Sequence, residues 1–163
     1  DADRDRTRDR VGGRRRAERA VAVAGHAGAE QDAHPDRHTD GEVENFLAIQ
    51  PPGTLAISHW PRVEFASVIA RDVRMKSINE TTARSLIKEF DALANDSLHV
   101  LIPAAADFDL AQDFVVAFAS GLRGPDALHL AIARNNGVSE ILTLDDGLIF
   151  AAKKLNLIAK RGI

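Results

Sequence analysis

The sequence predicts an α/β fold, a three-layer α/β/α sandwich around a central, mostly parallel sheet. Three observations lead there. From about Glu42 onward, short apolar runs alternate with longer stretches of helical spacing. The short runs are apolar throughout rather than at every second position, as expected of strands covered on both faces. With 163 residues, 45% of them apolar, the chain is long enough for one ordinary domain with its own core.

The elements follow in order. "GEVENFLAI" suits a short helix, stopped by the breaker "QPPG" at Gln50–Gly53. "TLAIS" (Thr54–Ser58) reads as a buried strand. "HWPRVEFASVIARDVR" reads as a helix with Pro61 in its first turn, where a missing N–H does no harm. "NETTARSLIKEFDALAN" (Asn79–Asn95) opens on a capping Asn79 and places Ala83, Leu86, Ile87, Phe90 and Leu93 on one face. "LHVLIP" (Leu98–Pro103) is a second strand, and "DLAQDFVVAFASG" (Asp109–Gly121) a helix stopped at Gly121. "GPDALHLAIARNNG" is a helix that ends at Asn136-Gly137. "EILTL" (Glu140–Leu144) is a third strand, "DGLIFAAKKL" a helix, and "NLIAKRGI" a last short strand or tail.

Residues 1–41 are a different kind of text from residues 42–163, which form the expected domain. Residues 1–40 contain no Leu, Ile, Phe, Lys, Ser or Asn. Without large apolar side chains such a stretch cannot offset its ordering entropy. Its one run suited to a strand or helix is "RAVAVAG" (Arg19–Gly25). Two readings compete: a disordered arm that binds RNA through Arg14, Arg15 and Arg16, or a wrong-frame translation of GC-rich DNA. Reading the DNA upstream of codon 41 in all frames separates them. A chain that starts at Asp1 rather than Met is expected to be a fragment, a processed product or an unusual reading of a gene.

Composition excludes several functions. There is no Cys, so no disulfide framework and no thiolate metal site, which fits a reducing, cytoplasmic setting. No apolar run approaches a membrane span, and no signal segment opens the chain. A net charge of −3 gives no global basic footprint for nucleic acid.

In open parallel sheets, sites form at the carboxyl ends of strands. Asp145 directly follows "EILTL"; it either caps the next helix or, with Asp146 capping instead, is free for chemistry. Asp126 follows Pro125 at a helix start, where pairing with the helix dipole is the ordinary role. It shares a face with Leu130 and Ala133, however, and a carboxylate on a buried face needs a partner. Glu64 belongs either to a solvated stripe with Ser67, Arg71 and Arg74 or to the same cluster. Carboxylates that converge repel one another and are stabilised by a divalent cation, and oxygen-only ligands suit Mg²⁺ or Mn²⁺. His129 reads as packing, or as a side chain oriented by Asp126.

"SHWPRVEFASVIAR", "GLRGPDALHLAIARNNG" and "ILTLDDGLIFAAKKLNL" resemble the PIN-domain ribonucleases, in particular the VapC-like toxins of bacterial toxin–antitoxin pairs. The match runs from about Thr54 to Leu157, and its Leu-Arg-Gly-x-Asp-Ala-Leu-His-Leu-Ala signature is quite specific. The resemblance implies Mg²⁺- or Mn²⁺-dependent cleavage of RNA, a cognate antitoxin that holds the protein inactive, and a homodimer. By position it makes Glu64, Asp126 and Asp145 the second, third and fourth acids of the family's quartet, with Asp146 an adjacent candidate ligand and Thr143 a hydroxyl neighbour. Arg62, Arg71 and Arg123 are offered as phosphate contacts.

One departure is large. The family's first acid ends an opening Leu-Asp-Thr/Ser strand, due about 35–40 residues before Glu64. That position falls near "VAVAGHAGA" (Val21–Ala29), which holds no acid. The first strand therefore reads as missing or replaced, and a catalytically impaired remnant that keeps only antitoxin or partner binding is the alternative to an active nuclease. A receiver-like phosphoryl-transfer domain is a third class, but it too needs an early strand-end Asp.

Overall fold

In the computed structural model, residues 20–22, 45–46, 49–51 and 53–162 are described. Five strands and five α-helices stand among them. In chain order they are β1 (Ala20–Ala22), β2 (Leu55–Ser58), α1 (Trp60–Arg74), α2 (Glu80–Ser97), β3 (His99–Leu101), α3 (Ala105–Val116), α4 (Gly124–Asn135), β4 (Glu140–Thr143), α5 (Asp146–Lys154) and β5 (Ala159–Arg161). A 3₁₀ turn, Phe118–Ser120, links α3 to α4. The strands form one sheet of order β3-β2-β1-β4-β5, parallel at every pairing. With this order, the right-handed rule for parallel crossovers sends α1 and α2 to one face and α3, α4 and α5 to the other. No helix among the described residues is long and apolar enough to cross a membrane.

The inner strands are apolar because the sheet is covered on both sides. β2 is buried at all four positions and β4 at its last three. The edges differ: β5 reads Ala-Lys-Arg and pairs its charges, Lys160 with Glu140 at 2.9 Å and Arg161 with Asp146 at 3.0 Å. Charge on an edge strand discourages further strand pairing. The "strand or tail" at the chain's end is thus an edge strand.

α4 is the buried helix. Ala127 through Ala133 are all buried, and its small residues let it approach α3 closely. Leu130, Ile132, Ile141, Leu148, Leu101 and Phe114 fill the core around it. α1 and α2 form a satellite, pinned by Phe65 stacked on Phe90 at 4.5 Å between ring centroids. Asn79 caps α2 as expected, accepting the Thr82 N–H at 2.8 Å.

Two local expectations shift. Before β2, Asn45, Phe46 and Ile49 are helical, and "QPPG" closes as a turn in which the Thr54 N–H bonds Pro51 O at 3.1 Å around Gly53 at φ 77°. The rest of that short helix lies outside the described residues. The helix placed at Asp109–Gly121 instead spans Ala105–Val116. It starts earlier because Asp107 accepts the Ala104 N–H at 2.8 Å, and it stops earlier because Ser120 Oγ donates to Phe114 O at 3.2 Å and draws the chain into the 3₁₀ turn. Gly121, left-handed at φ 67°, then redirects the chain, as its place in the sequence suggested.

The centre of the sheet is filled. The sequence offers no Leu-Asp strand there, and Ala-Val-Ala occupies the place: Ala20 pairs with Leu55 on one side and Glu140 on the other. The residues next in sequence, Val23, Ala24 and Gly25, bring no acid. The remainder of residues 1–41, with both readings of it, lies outside the described residues.

Candidate active site

β1 lies between β2, reached on one side, and β4, reached on the other, so the strand order reverses at β1. Crevices in open α/β sheets form at such a reversal, outside the carboxyl ends of the strands. Two hydroxyls fix how the chain leaves those ends. Ser58, the last residue of β2, accepts the Trp60 N–H at 3.2 Å, and Thr143, the last of β4, accepts the Asp145 N–H at 3.1 Å. Both hydroxyl residues are buried, and each turns the chain straight into a helix.

Those turns bring the acids to one edge. Asp145 is the N-cap of α5; its Oδ1 accepts the Leu148 N–H at 3.0 Å. Gly147 leaves room for it, since a Cβ there would stand 3.0 Å from Asp145 Oδ1. The capping is therefore done by Asp145 itself and not, as the freer reading required, by Asp146. Asp126 sits in the first turn of α4, with Pro125 before it. Glu64 lies in the second turn of α1 and is mostly buried, with a side chain 12% exposed, while Ser67, Arg71 and Arg74 of its stripe face solvent.

Asp126 registers the convergence. Its carboxyl is raised above the ordinary value of 3.8, first by burial, then by the negative charge of Asp145 and, more weakly, Glu64. His129 and Arg123 oppose the rise. Asp145 and Glu64 therefore both act on Asp126, and Arg123 stands exposed beside it. Glu64 has a direct partner, buried His129, whose Nε2–H donates to Glu64 Oε2 at 2.6 Å. His129 is thus neither plain packing nor bonded to Asp126; it ties α4 to α1.

The other predicted residues fall elsewhere. The Asp146 side chain is 81% exposed, pairs with Arg161 and is not among the charges that act on Asp126. Arg62 reaches α2, at 2.5 Å from Asn95 Oδ1 and 3.6 Å from Asp91 Oδ1, and Arg71 pairs with Asp72 at 3.4 Å. Only Arg123 of the three arginines remains beside the acids. The sequence reading did not weigh Ser58, although its place at the end of β2 mirrors that of Thr143. Next to the acids, Trp60, Phe108, Val115, Val116, Pro125 and Leu128 line an open apolar groove of about 450 Å³. Among the described residues, no three His, Cys, Asp or Glu side chains are grouped closely enough to hold a metal ion.

The strand order, the helical layers and the acid edge together have the PIN-like α/β/α fold that the resemblance implied. Solved structures share it. PAE2754 from Pyrobaculum aerophilum is 20% identical over 88% of this chain and 84% of its own, with a TM-score of 0.56. VapBC2 from Rickettsia felis, solved bound to a DNA fragment from their promoter, is 16% identical over 77% of this chain and 86% of that one, with a TM-score of 0.52. At these identities the likeness is one of fold. The chain matches no family model and no curated protein sequence.

Proposed function

We propose that the chain is a metal-dependent endoribonuclease, the toxin of a toxin–antitoxin pair, with Glu64, Asp126 and Asp145 as its working acids. The observation that carries this is the state of Asp126: a half-buried carboxyl at a helix start, pushed upward by two further acids from two other elements. A plain surface gains nothing from such an arrangement, and a cation centre needs it.

The residues suit a hard divalent ion in kind, being oxygen donors whose mutual repulsion a cation relieves. As they stand no three of these side chains are close enough to hold an ion; Glu64, Asp126 and Asp145 are the acids that Mg²⁺ or Mn²⁺ would draw together in this reading, with Asp146, paired with Arg161, a weaker candidate. A bound cation supplies charge neutralisation to a phosphodiester and acidifies an attacking water. The chain's own part is to hold three carboxylates in the first two turns of three helices, two of which buried Ser58 and Thr143 help to start, and to present Arg123 to a phosphate oxygen. The fold shared with VapBC2 supports an antitoxin as partner, and the groove beside the acids gives it apolar surface to cover. RNA as substrate and a homodimer belong to the same reading.

Asp126→Asn is expected to abolish Mg²⁺-dependent cleavage of a fluorescent single-stranded RNA, at least 100-fold in rate. Unchanged cleavage in that variant would sink the assignment. A second reading, the impaired remnant, is favoured by one observation: the residues that follow central β1 in the sequence are Val-Ala-Gly-His, with no first acid.

A further inference from the structure

We propose that the outer face of α5 is a track for single-stranded RNA, with Phe150 as the platform on which a base stacks and Lys153, Lys154 and Arg161 as its phosphate contacts. The inference rests on the ribonuclease reading above and deepens it by giving the substrate a path away from the acids. It calls on no bound cation. Its first support is the placement of the face. Asp145 caps α5 and Asp146 is its first residue, so the face starts at the acid edge. Asp146, Phe150 and Lys154 follow at intervals of four and stand in one row that runs about 12 Å down the helix. Leu148, Ala151 and Ala152, on the other side of α5, are buried, which turns the row to solvent.

The second support is the pairing of a ring with cations. Phe150 is 56% exposed, and Lys154 Nζ stands 5.1 Å from its ring centroid, with Lys153 exposed next to it. An exposed ring alone is ordinary. A ring set among cations, in a row that leaves from the acids, is the arrangement by which proteins hold single strands: the ring takes the base and the cations take the backbone. Arg161 closes the acid end. It is level with Thr143 in the sheet and meets Asp146 at 3.0 Å, with both side chains exposed. Such an exposed ion pair is weak. A phosphate, which an arginine can grip at two points, is able to displace Asp146 from it. The face thus sets three cations against one acid, in a chain whose net charge is −3. That local excess favours a strand of phosphates over an apolar protein partner.

The test is binding of a short fluorescent single-stranded RNA by the full chain, read by fluorescence anisotropy in EDTA over a series of KCl concentrations. Melting curves show which variants fold, and the Trp variant keeps the ring testable if the Ala variant does not. Phe150→Ala should bind about 10-fold more weakly at every salt concentration, and Phe150→Trp within a few-fold of the parent. Lys154→Gln and Arg161→Gln should each weaken binding and lower the slope of log Kd against log salt by about 0.7. Asp146→Asn should bind more tightly, and less so when Arg161→Gln is also present. RNA binding that Phe150→Ala, Lys154→Gln and Arg161→Gln all leave at the parent's level overturns the proposal and assigns the face to a protein partner. Phe150→Leu binding as tightly as the parent also overturns it, since apolar contact rather than stacking would then account for the ring. Tighter binding of single-stranded DNA of the same sequence overturns the assignment to RNA. If the variants of this face bind like the parent while Asp126→Asn has lost cleavage, only this inference falls. A parent that binds no RNA at micromolar concentration in low salt removes the ribonuclease reading and this inference together.

Discussion

Asp126 sets a pH dependence whose sign follows from its raised carboxyl. The folded chain holds that proton more tightly than the unfolded chain does, so ionisation costs stability as pH rises above the ordinary value of 3.8. That penalty grows as pH rises above the ordinary value and is complete once the folded carboxyl has ionised. Asp126→Asn should therefore melt higher than the parent near pH 7, with the gap closing as pH falls below the ordinary carboxyl value. Melting curves across pH, without divalent ions, check this; a variant less stable than the parent at pH 7 would contradict the burial and repulsion seen at Asp126. Asp126 and Asp145 were legible because motif and spacing put them at a helix start and a strand end. The Glu64–His129 bond was not: its two ends lie 65 residues apart, and sequence spacing carries no information about which helices meet. The Asp146–Arg161 pair was not legible for a similar reason, since Arg161 comes from a strand that read equally as tail.

At the scale of elements, α3 and α4 depend on an acid that the sequence did not single out. Asp107, 2% exposed, accepts from the Ala104 N–H at 2.8 Å and from Asn135 Nδ2–H at 2.7 Å. It closes the start of one helix onto the last turn of its neighbour, at the opposite end of α4 from Asp126. Asp107→Ala should cost about 2 kcal/mol by loss of a cap and a buried hydrogen bond, measured by urea unfolding, with Mn²⁺ affinity unchanged. The same pair shows where helix limits escape the sequence. Asp107 moved the start of α3 forward and Ser120 moved its end back, both through contacts that only the folded chain makes. The helices with local capping, such as α2 behind Asn79, stand within two residues of where the pattern put them.

For the molecule as a whole, the sheet order and the acid edge confine the departure from the resemblance to one place, the first acid it would expect. β1 is in its central place, paired with both neighbours, and only the side chain due at its carboxyl end is absent from the sequence. Val23→Asp, the next position along, should then raise Mn²⁺ affinity and RNA cleavage together, by tenfold or more in rate if the remnant reading holds. Equal activity in the two chains would mean that three acids suffice. The fold class was readable because strand and helix periods differ along residues 42–163. The central strand was hard to read because three small residues carry almost none of that signal.

The place of β1 also bears on how the chain folds. Ala20 pairs with Glu140, about 120 residues later, and Val21 and Ala22 pair with Ile141 and Leu142. Contacts so distant in sequence reward the chain only after a long loop has closed, which makes folding slow. Until then β3-β2 and β4-β5 are two separate ribbons with bare inner edges. Synthesis delivers β1 about 120 residues before its second partner, so the nascent protein holds an open seam beside β1 over that span. The acids from α1 on one side and from α4 and α5 on the other face each other only when that seam shuts, which ties the assembly of the centre to the last long-range step of folding.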